Sequence, residues 1–135
     1  MAAKIRIICP FCNEAVNLHS TNEPCPKCHQ PLTFMEEGSI YIYRQGSPYG
    51  IAGGFGLFLN GQPFGYIGNK ELLRIPVRYG TYTIHSAVGL SRKCEDLQVT
   101  VTPNNPVVYT KVYIKAGFWT NSFVIEYVDP RLLEL

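Results

Sequence analysis

The sequence predicts an all-β chain: a small N-terminal unit carrying four cysteines, then an antiparallel β-sandwich or small barrel of about eight short strands. Three observations predict it. From residue 40 onward apolar residues recur with a period of two, the spacing of strands with one buried face. Gly, Pro and Asn interrupt these runs at short intervals, with no helical pattern between them. Hydrophobic residues make up 46% of the 135 and charged ones only 16%, so the chain can bury a core and is not of the charge-rich disordered class.

The first unit is dominated by Cys9-Pro10-Phe11-Cys12 and Cys25-Pro26-Lys27-Cys28, two Cys-Pro-x-Cys pairs twelve residues apart. Two residues between thiolates let one tight turn offer both sulfurs to one ion, and proline presets that turn. Two such turns make a closed tetrahedral site of four sulfurs, the geometry of structural zinc. Ala15-Val16-Asn17-Leu18 reads as a strand in the intervening hairpin, and Leu32-Thr33-Phe34 as another after the second pair. So short a segment cannot bury enough apolar surface to fold alone, and metal binding of about 10–16 kcal/mol supplies the missing stability.

Composition changes at Glu36-Glu37-Gly38. This places a boundary between residues 1–37 and residues 38–135. After it, Ile40 and Ile42 alternate with Tyr41 and Tyr43, and Phe55, Leu57 and Leu59 share one face of the next strand. Asn60-Gly61 predicts a type I′ hairpin, which requires positive φ at both positions. The return strand runs through Pro63 to Ile67, and another covers Glu71 to Val77. Arg78-Tyr79-Gly80-Thr81 reads as a turn. Tyr82, Ile84 and Val88 then line a face, as do Leu97, Val99 and Val101. Pro103-Asn104-Asn105-Pro106 is a break. Val108, Val112 and Ile114 face inward after it, and Phe123, Ile125 and Tyr127 make the final strand.

The two Cys-Pro-x-Cys pairs resemble the zinc-ribbon family over roughly residues 5–35. The resemblance implies one structural Zn²⁺ held by Cys9, Cys12, Cys25 and Cys28. Ribbon turns often carry glycine after the second cysteine, where the chain turns left-handed; Asn13 and His29 stand there. Asparagine tolerates that conformation and histidine does so less easily, which makes His29 a competing ligand candidate. An iron centre of rubredoxin type, an electron carrier, would use the same four sulfurs. In residues 39–115, the runs Ile40-Tyr41-Ile42-Tyr43-Arg44, Leu57 to Gly65 and Ile75 to Ile84 look like bacterial β-sandwich domains of unknown function found in lipoproteins, and like PEGA-type domains. That resemblance implies a non-enzymatic module.

Other candidates carry weaker signals. Tyr109, Lys111, Tyr113 and Lys115 alternate outward on one strand, a pattern that stacks bases and meets phosphates; a solvated sheet face has the same pattern. Arg74, Arg78, Arg92 and Lys93 could extend it. The glycine-rich stretch from Gly46 to Gly56 lacks the Lys-Ser/Thr and helix of a phosphate loop. His19 and His85 have no nucleophile in sequence context, Cys94 stands alone beside Arg92 and Lys93, and Trp119 sits in a turn.

The formal charge is +2, and a site of four thiolates on zinc brings it near zero. Residues 1–37 then carry about −3, which repels a phosphate backbone. No paired carboxylates, nucleophile elbow or open metal site points to an enzyme. No apolar run reaches the roughly 18 residues of a membrane span, no secretory signal precedes Cys9, and reduced Cys-x-x-Cys pairs suit the cytoplasm. The expectation is a cytoplasmic, non-enzymatic zinc protein whose partner is another protein, with nucleic acid as the alternative.

Overall fold

The computed structural model describes residues 3–20, 23–32, 36–45, 55–87, 96–115, 122–129 and 131; of residues 55, 87, 114, 115, 122 and 123 it describes the backbone alone. Thr33, Phe34, residues 46–54, Val88, Arg92, Lys93, Cys94 and Trp119 lie outside the described residues, as do the side chains of Ile114, Lys115 and Phe123.

Ten strands are described: β1 (Lys4–Ile8), β2 (Ala15–Leu18), β3 (Gly38–Arg44), β4 (Phe55–Leu59), β5 (Gln62–Ile67), β6 (Leu72–Val77), β7 (Gly80–Ala87), β8 (Leu97–Val101), β9 (Val107–Lys115) and β10 (Ser122–Tyr127). No α-helix occurs among the described residues, and none is long and apolar enough to cross a membrane. The strands form a six-stranded sheet, β10-β9-β3-β6-β1-β2, and a four-stranded sheet, β5-β4-β7-β8. Neither closes into a barrel. Eight strands follow Glu37, as the period of two predicts.

The sheets pack through the alternating residues. Ile40, Ile42, Leu73, Ile75, Val77, Val108, Val112 and Ile125 of the larger sheet meet Leu57, Phe64, Ile67, Ile84, Val99 and Val101 of the smaller. Each removes apolar area from water at about 25 cal/mol per Å². The Asn60-Gly61 turn has φ of 52° and 79°, and Leu59 pairs with Gln62 across it, so the hairpin forms as its turn chemistry requires.

One feature departs from the antiparallel expectation. The larger sheet is mixed: β3 pairs parallel with β9, and β1 pairs parallel with β6. The chain changes sheet after β3, β5, β6 and β8. A strand that returns after such crossings can run either way beside its neighbour, whereas a tight hairpin enforces antiparallel pairing. Strand pairing also runs across the compositional boundary, since β1 and β2 form the end of the larger sheet beside β6.

Because β1 joins that sheet, it is covered on both faces. Ile5 and Ile7 pack with Val16, Leu18, Leu32, Cys9 and Cys25 in a second small core. Arg6 and Ile8 point the other way, and Ile8 packs against the main core. The boundary itself is tight. A Cβ on Gly38 would lie 2.2 Å from the Pro106 carbonyl oxygen and 2.5 Å from Val101, so only glycine lets β3 start beside the Pro103–Pro106 turn, where the Ser39 N–H donates to Pro106 O at 2.9 Å.

Candidate metal centre

The turns that carry the cysteines are built alike. Cys9 N–H donates to Glu14 O at 2.9 Å, and Cys9 O accepts from Asn13 N–H at 2.8 Å. Cys25 N–H donates to Gln30 O at 3.0 Å, and Cys25 O accepts from His29 N–H at 2.9 Å. Asn13 and His29 close these turns with φ of 58° and 64°, the left-handed conformation expected after each second cysteine. His29 is exposed and stands apart from the cluster of potential ligands.

The four sulfurs converge. All lie within 4.8 Å of one another, with Cys9 to Cys28 and Cys12 to Cys25 both at 3.7 Å. A tetrahedron with metal–sulfur bonds of about 2.3 Å has edges of about 3.8 Å, whereas a disulfide requires about 2.05 Å. The donor set is four soft sulfurs, which suits zinc or iron, and it is complete with protein ligands alone. Cys9 and Cys25 are buried, and Cys12 and Cys28 half-buried.

Backbone donors prepare the sulfurs for negative charge. Phe11 N–H points at Cys9 Sγ at 3.4 Å, and Lys27 and Cys28 N–H at Cys25 Sγ at 3.4 and 3.5 Å. The Cys28 N–H, with help from Lys27 and the neighbouring sulfurs, brings the Cys25 thiol down to about 6 against the effect of burial. Burial pushes the Cys12 thiol up to about 12, although the Glu14 backbone opposes it. A bound divalent metal replaces the protons that such a tetrad must otherwise share.

The hairpin bearing these cysteines is tied to the rest of the molecule by Arg6, which the sequence reading had not singled out. Its side chain is buried. Nε donates to Asn17 Oδ1 on β2, Nη1 donates to the Phe64 carbonyl on β5 at 3.0 Å, and Nη2 lies 3.9 Å from Glu71 Oε1. Glu71 also accepts from Lys4 Nζ at 3.0 Å and from Gly68 N–H at 3.2 Å. Burial alone would raise the Glu71 carboxyl, but the Lys4 hydrogen bond, the Gly68 N–H and the two cations outweigh it and hold it below the ordinary carboxylate value. The only sequence signal for Arg6 was a charge inside the run Ile5-Arg6-Ile7-Ile8.

On the outer face of the larger sheet the predicted Tyr109, Lys111 and Tyr113 lie together, and Lys115 follows on the β9 backbone. Because β3 is the neighbour of β9, Tyr41 and Tyr43 join them. Tyr41 stacks on Tyr109 at 4.8 Å between centroids, 17° between planes. Register places Tyr109, Tyr41 and Arg74 in one row and Lys111 with Tyr43 in the next. The Lys111 ammonium lies 5.0 Å from the Tyr113 ring and 3.5 Å from Glu126. Arg74 is paired with Glu36, and Arg78, beyond the end of β6, lies 3.8 Å from Glu37. His85 pairs with Asp96, Nδ1 to Oδ1 at 2.7 Å, beside the Phe58 ring on the outer face of the smaller sheet. His19 is exposed in the hairpin loop.

Comparison with known proteins adds no assignment: no family profile, no curated protein and no solved structure matches this chain.

Proposed function

We propose that this chain is a non-enzymatic zinc protein that binds another protein through the tyrosine face of its larger sheet. Zinc is the reading for the metal because four thiolates with no open position suit a structural ion and leave no place for substrate or water. A rubredoxin-type iron centre is the competing occupant. Cytoplasmic residence accompanies this reading, since metal-binding thiols persist where disulfides do not form.

The observation that carries the partner assignment is the balance of charge on that face. Lys111 is matched by Glu126 and Arg74 by Glu36, so four half-buried tyrosines lie among compensated cations. Tyrosine and arginine are the side chains that anchor protein interfaces, through large rigid area and few lost rotamers. A phosphate backbone would have to displace an acid at Lys111 and at Arg74. The resemblance of residues 39–115 to bacterial sandwich modules without catalytic residues supports the same role. The second reading, nucleic-acid binding by Tyr109, Lys111, Tyr113 and Lys115, is favoured by the stacked Tyr41–Tyr109 pair, a platform of the kind that bases extend.

Metal analysis of the purified protein and affinity capture from native lysate, with and without nuclease, test both parts. One zinc per chain and a nuclease-resistant protein lost with Tyr109→Ala are expected. Iron in place of zinc would overturn the metal reading. Nucleic acid that elutes steeply with salt would overturn the protein reading and promote the second.

A further inference from the structure

The two sheets have four edge strands among the described residues, β2 and β10 of the larger and β5 and β8 of the smaller. An edge presents N–H and carbonyl groups that invite another strand, and folds blunt it with short strands, proline, bulges or side chains laid across it. Three of these edges are blunted. β2 has only four residues. β5 carries Pro63, a register shift against β4 and the positive φ of Gly65, and its Phe64 carbonyl accepts from Arg6 at 3.0 Å. In β8, Gln98 lies opposite Thr83. Asn60, on the β4 side, takes both the N–H and the carbonyl of Thr83, so Gln98 turns its own backbone groups outward. The Tyr127 hydroxyl covers that edge, donating to Gln98 O at 2.7 Å.

β10 lacks these devices. It runs for six residues, Ser122–Tyr127, without proline, glycine or lysine, and in unbroken register along β9. Val128 N–H donates to Tyr109 O at 3.0 Å. Bonded and non-bonded pairs alternate along an antiparallel ladder. Ser122, Val124, Glu126 and Val128 therefore bond β9, whereas Phe123, Ile125 and Tyr127 turn their N–H and carbonyl groups to the free edge. No strand takes them among the described residues. The one charge on β10, Glu126, is held on the outer face by Lys111 at 3.5 Å and does not screen that edge.

We infer that β10 pairs antiparallel with β10 of a second copy of this chain, about a two-fold axis through Ile125, so that the two larger sheets join edge to edge. Outward backbone groups of this kind are met by an added strand, and the order of residues along β10 fits its own copy. With Ile125 opposite Ile125, Phe123 falls opposite Tyr127, and every outward N–H and carbonyl of these residues gains a partner. On the outer face Val124 falls opposite Glu126, so no like charges meet. A register centred on Glu126 would oppose two carboxylates, and one centred on Val124 would leave Tyr127 with no residue of β10 opposite it. The contact uses the same strand on both copies and closes as a dimer. The edge is a different surface from the tyrosine face, so the failure of either assignment leaves the other in place.

Sedimentation equilibrium and hydrogen exchange of the full-length, metal-loaded protein test it. A reversible dimer is expected. The Ile125 and Tyr127 amides are expected to gain protection as concentration rises, while those of Val124 and Glu126, bonded to β9, are protected throughout. Tyr127→Pro removes an outward N–H without touching the ladder to β9, and is expected to weaken the dimer about tenfold or more at unchanged metal content. Tyr127→Phe, which keeps the N–H, and Tyr109→Ala, on the tyrosine face, are expected to leave it intact. A monomer at millimolar concentration, a dimer that leaves the Ile125 and Tyr127 amides unprotected, undiminished dimerisation of Tyr127→Pro, or a dimer abolished by Tyr109→Ala would each overturn the assignment.

Discussion

The Arg6 guanidinium donates to the main-chain carbonyl of Phe64 at 3.0 Å, so one side chain from the cysteine-bearing hairpin hydrogen-bonds a strand of the opposite sheet. Gly65 makes room for it. With φ of 81°, a Cβ there would lie 2.7 Å from Arg6 Nη1.

Arg6→Met is therefore expected to cost about 1–3 kcal/mol, because it strands the buried Phe64 carbonyl. Urea unfolding of the metal-loaded protein measures it. Gly65→Ala is expected to be destabilising in the parent, and less so in the Arg6→Met background, where only the backbone strain of about 1 kcal/mol remains. Equal costs in both backgrounds would show that the two positions do not interact.

Cys25→Ser is expected to release the metal and unfold the hairpin of β1 and β2, since Cys25 is fully buried between the two turns. Hydrogen exchange should show lost protection at Ile5, Ile7, Val16 and Leu18, together with loosening of the β6 edge that β1 covers. Protection in β3 and β9 should persist. A folded, metal-loaded Cys25→Ser protein would refute the ligand assignment.

His29 occupies the left-handed conformation at φ 64° without acting as a ligand in this geometry. His29→Gly relieves that strain and is expected to raise stability by about 0.5–1 kcal/mol with metal content unchanged. Loss of metal affinity on this change would instead make His29 a ligand.

Tyr109→Ala removes one partner of the stack with Tyr41. Fully exposed tyrosines could be truncated with stability intact, but these rings are half-buried, and a cost of about 1 kcal/mol is expected. A loss of several kcal/mol would mean that the face is part of a core.

Glu71 provides the pH dependence. Its folded-state pKa is depressed from 4.5, so its contribution is fully present above the unfolded value and disappears as pH falls through the folded one. The stability gap between the parent and Glu71→Gln should be open at pH 7 and close in acid. Carbon NMR should place the Glu71 midpoint below 4.5, and Lys4→Ala should raise it. A midpoint above 4.5 would mean that burial dominates over the two cations.

Much of this molecule was legible from local pattern. The four cysteines that converge are set by spacing within two tight turns. The Asn60-Gly61 hairpin follows from its demand for positive φ. Ile40, Ile42, Val99, Val101, Val108 and Val112 were assigned inward by alternation alone, because a strand's side chains switch faces at every residue whatever its neighbour is. Alternation is silent about which strands are neighbours. Tyr41 and Tyr109 lie far apart in sequence, and only the parallel pairing of β3 with β9 stacks them.

The same limit hid the role of β1. By itself Ile5-Arg6-Ile7-Ile8 reads as the edge of a small metal-bound unit. Its pairing with β6 accompanies the burial of Arg6 and its hydrogen bond to Phe64. The sequence alone determined which four cysteines converge, the hairpin and the inward face of most strands, because those depend mainly on neighbours within a few residues. The tertiary structure decided the sheet order, the tyrosine face and the setting of Arg6, because each arises from contacts between segments that the chain brings together only on folding.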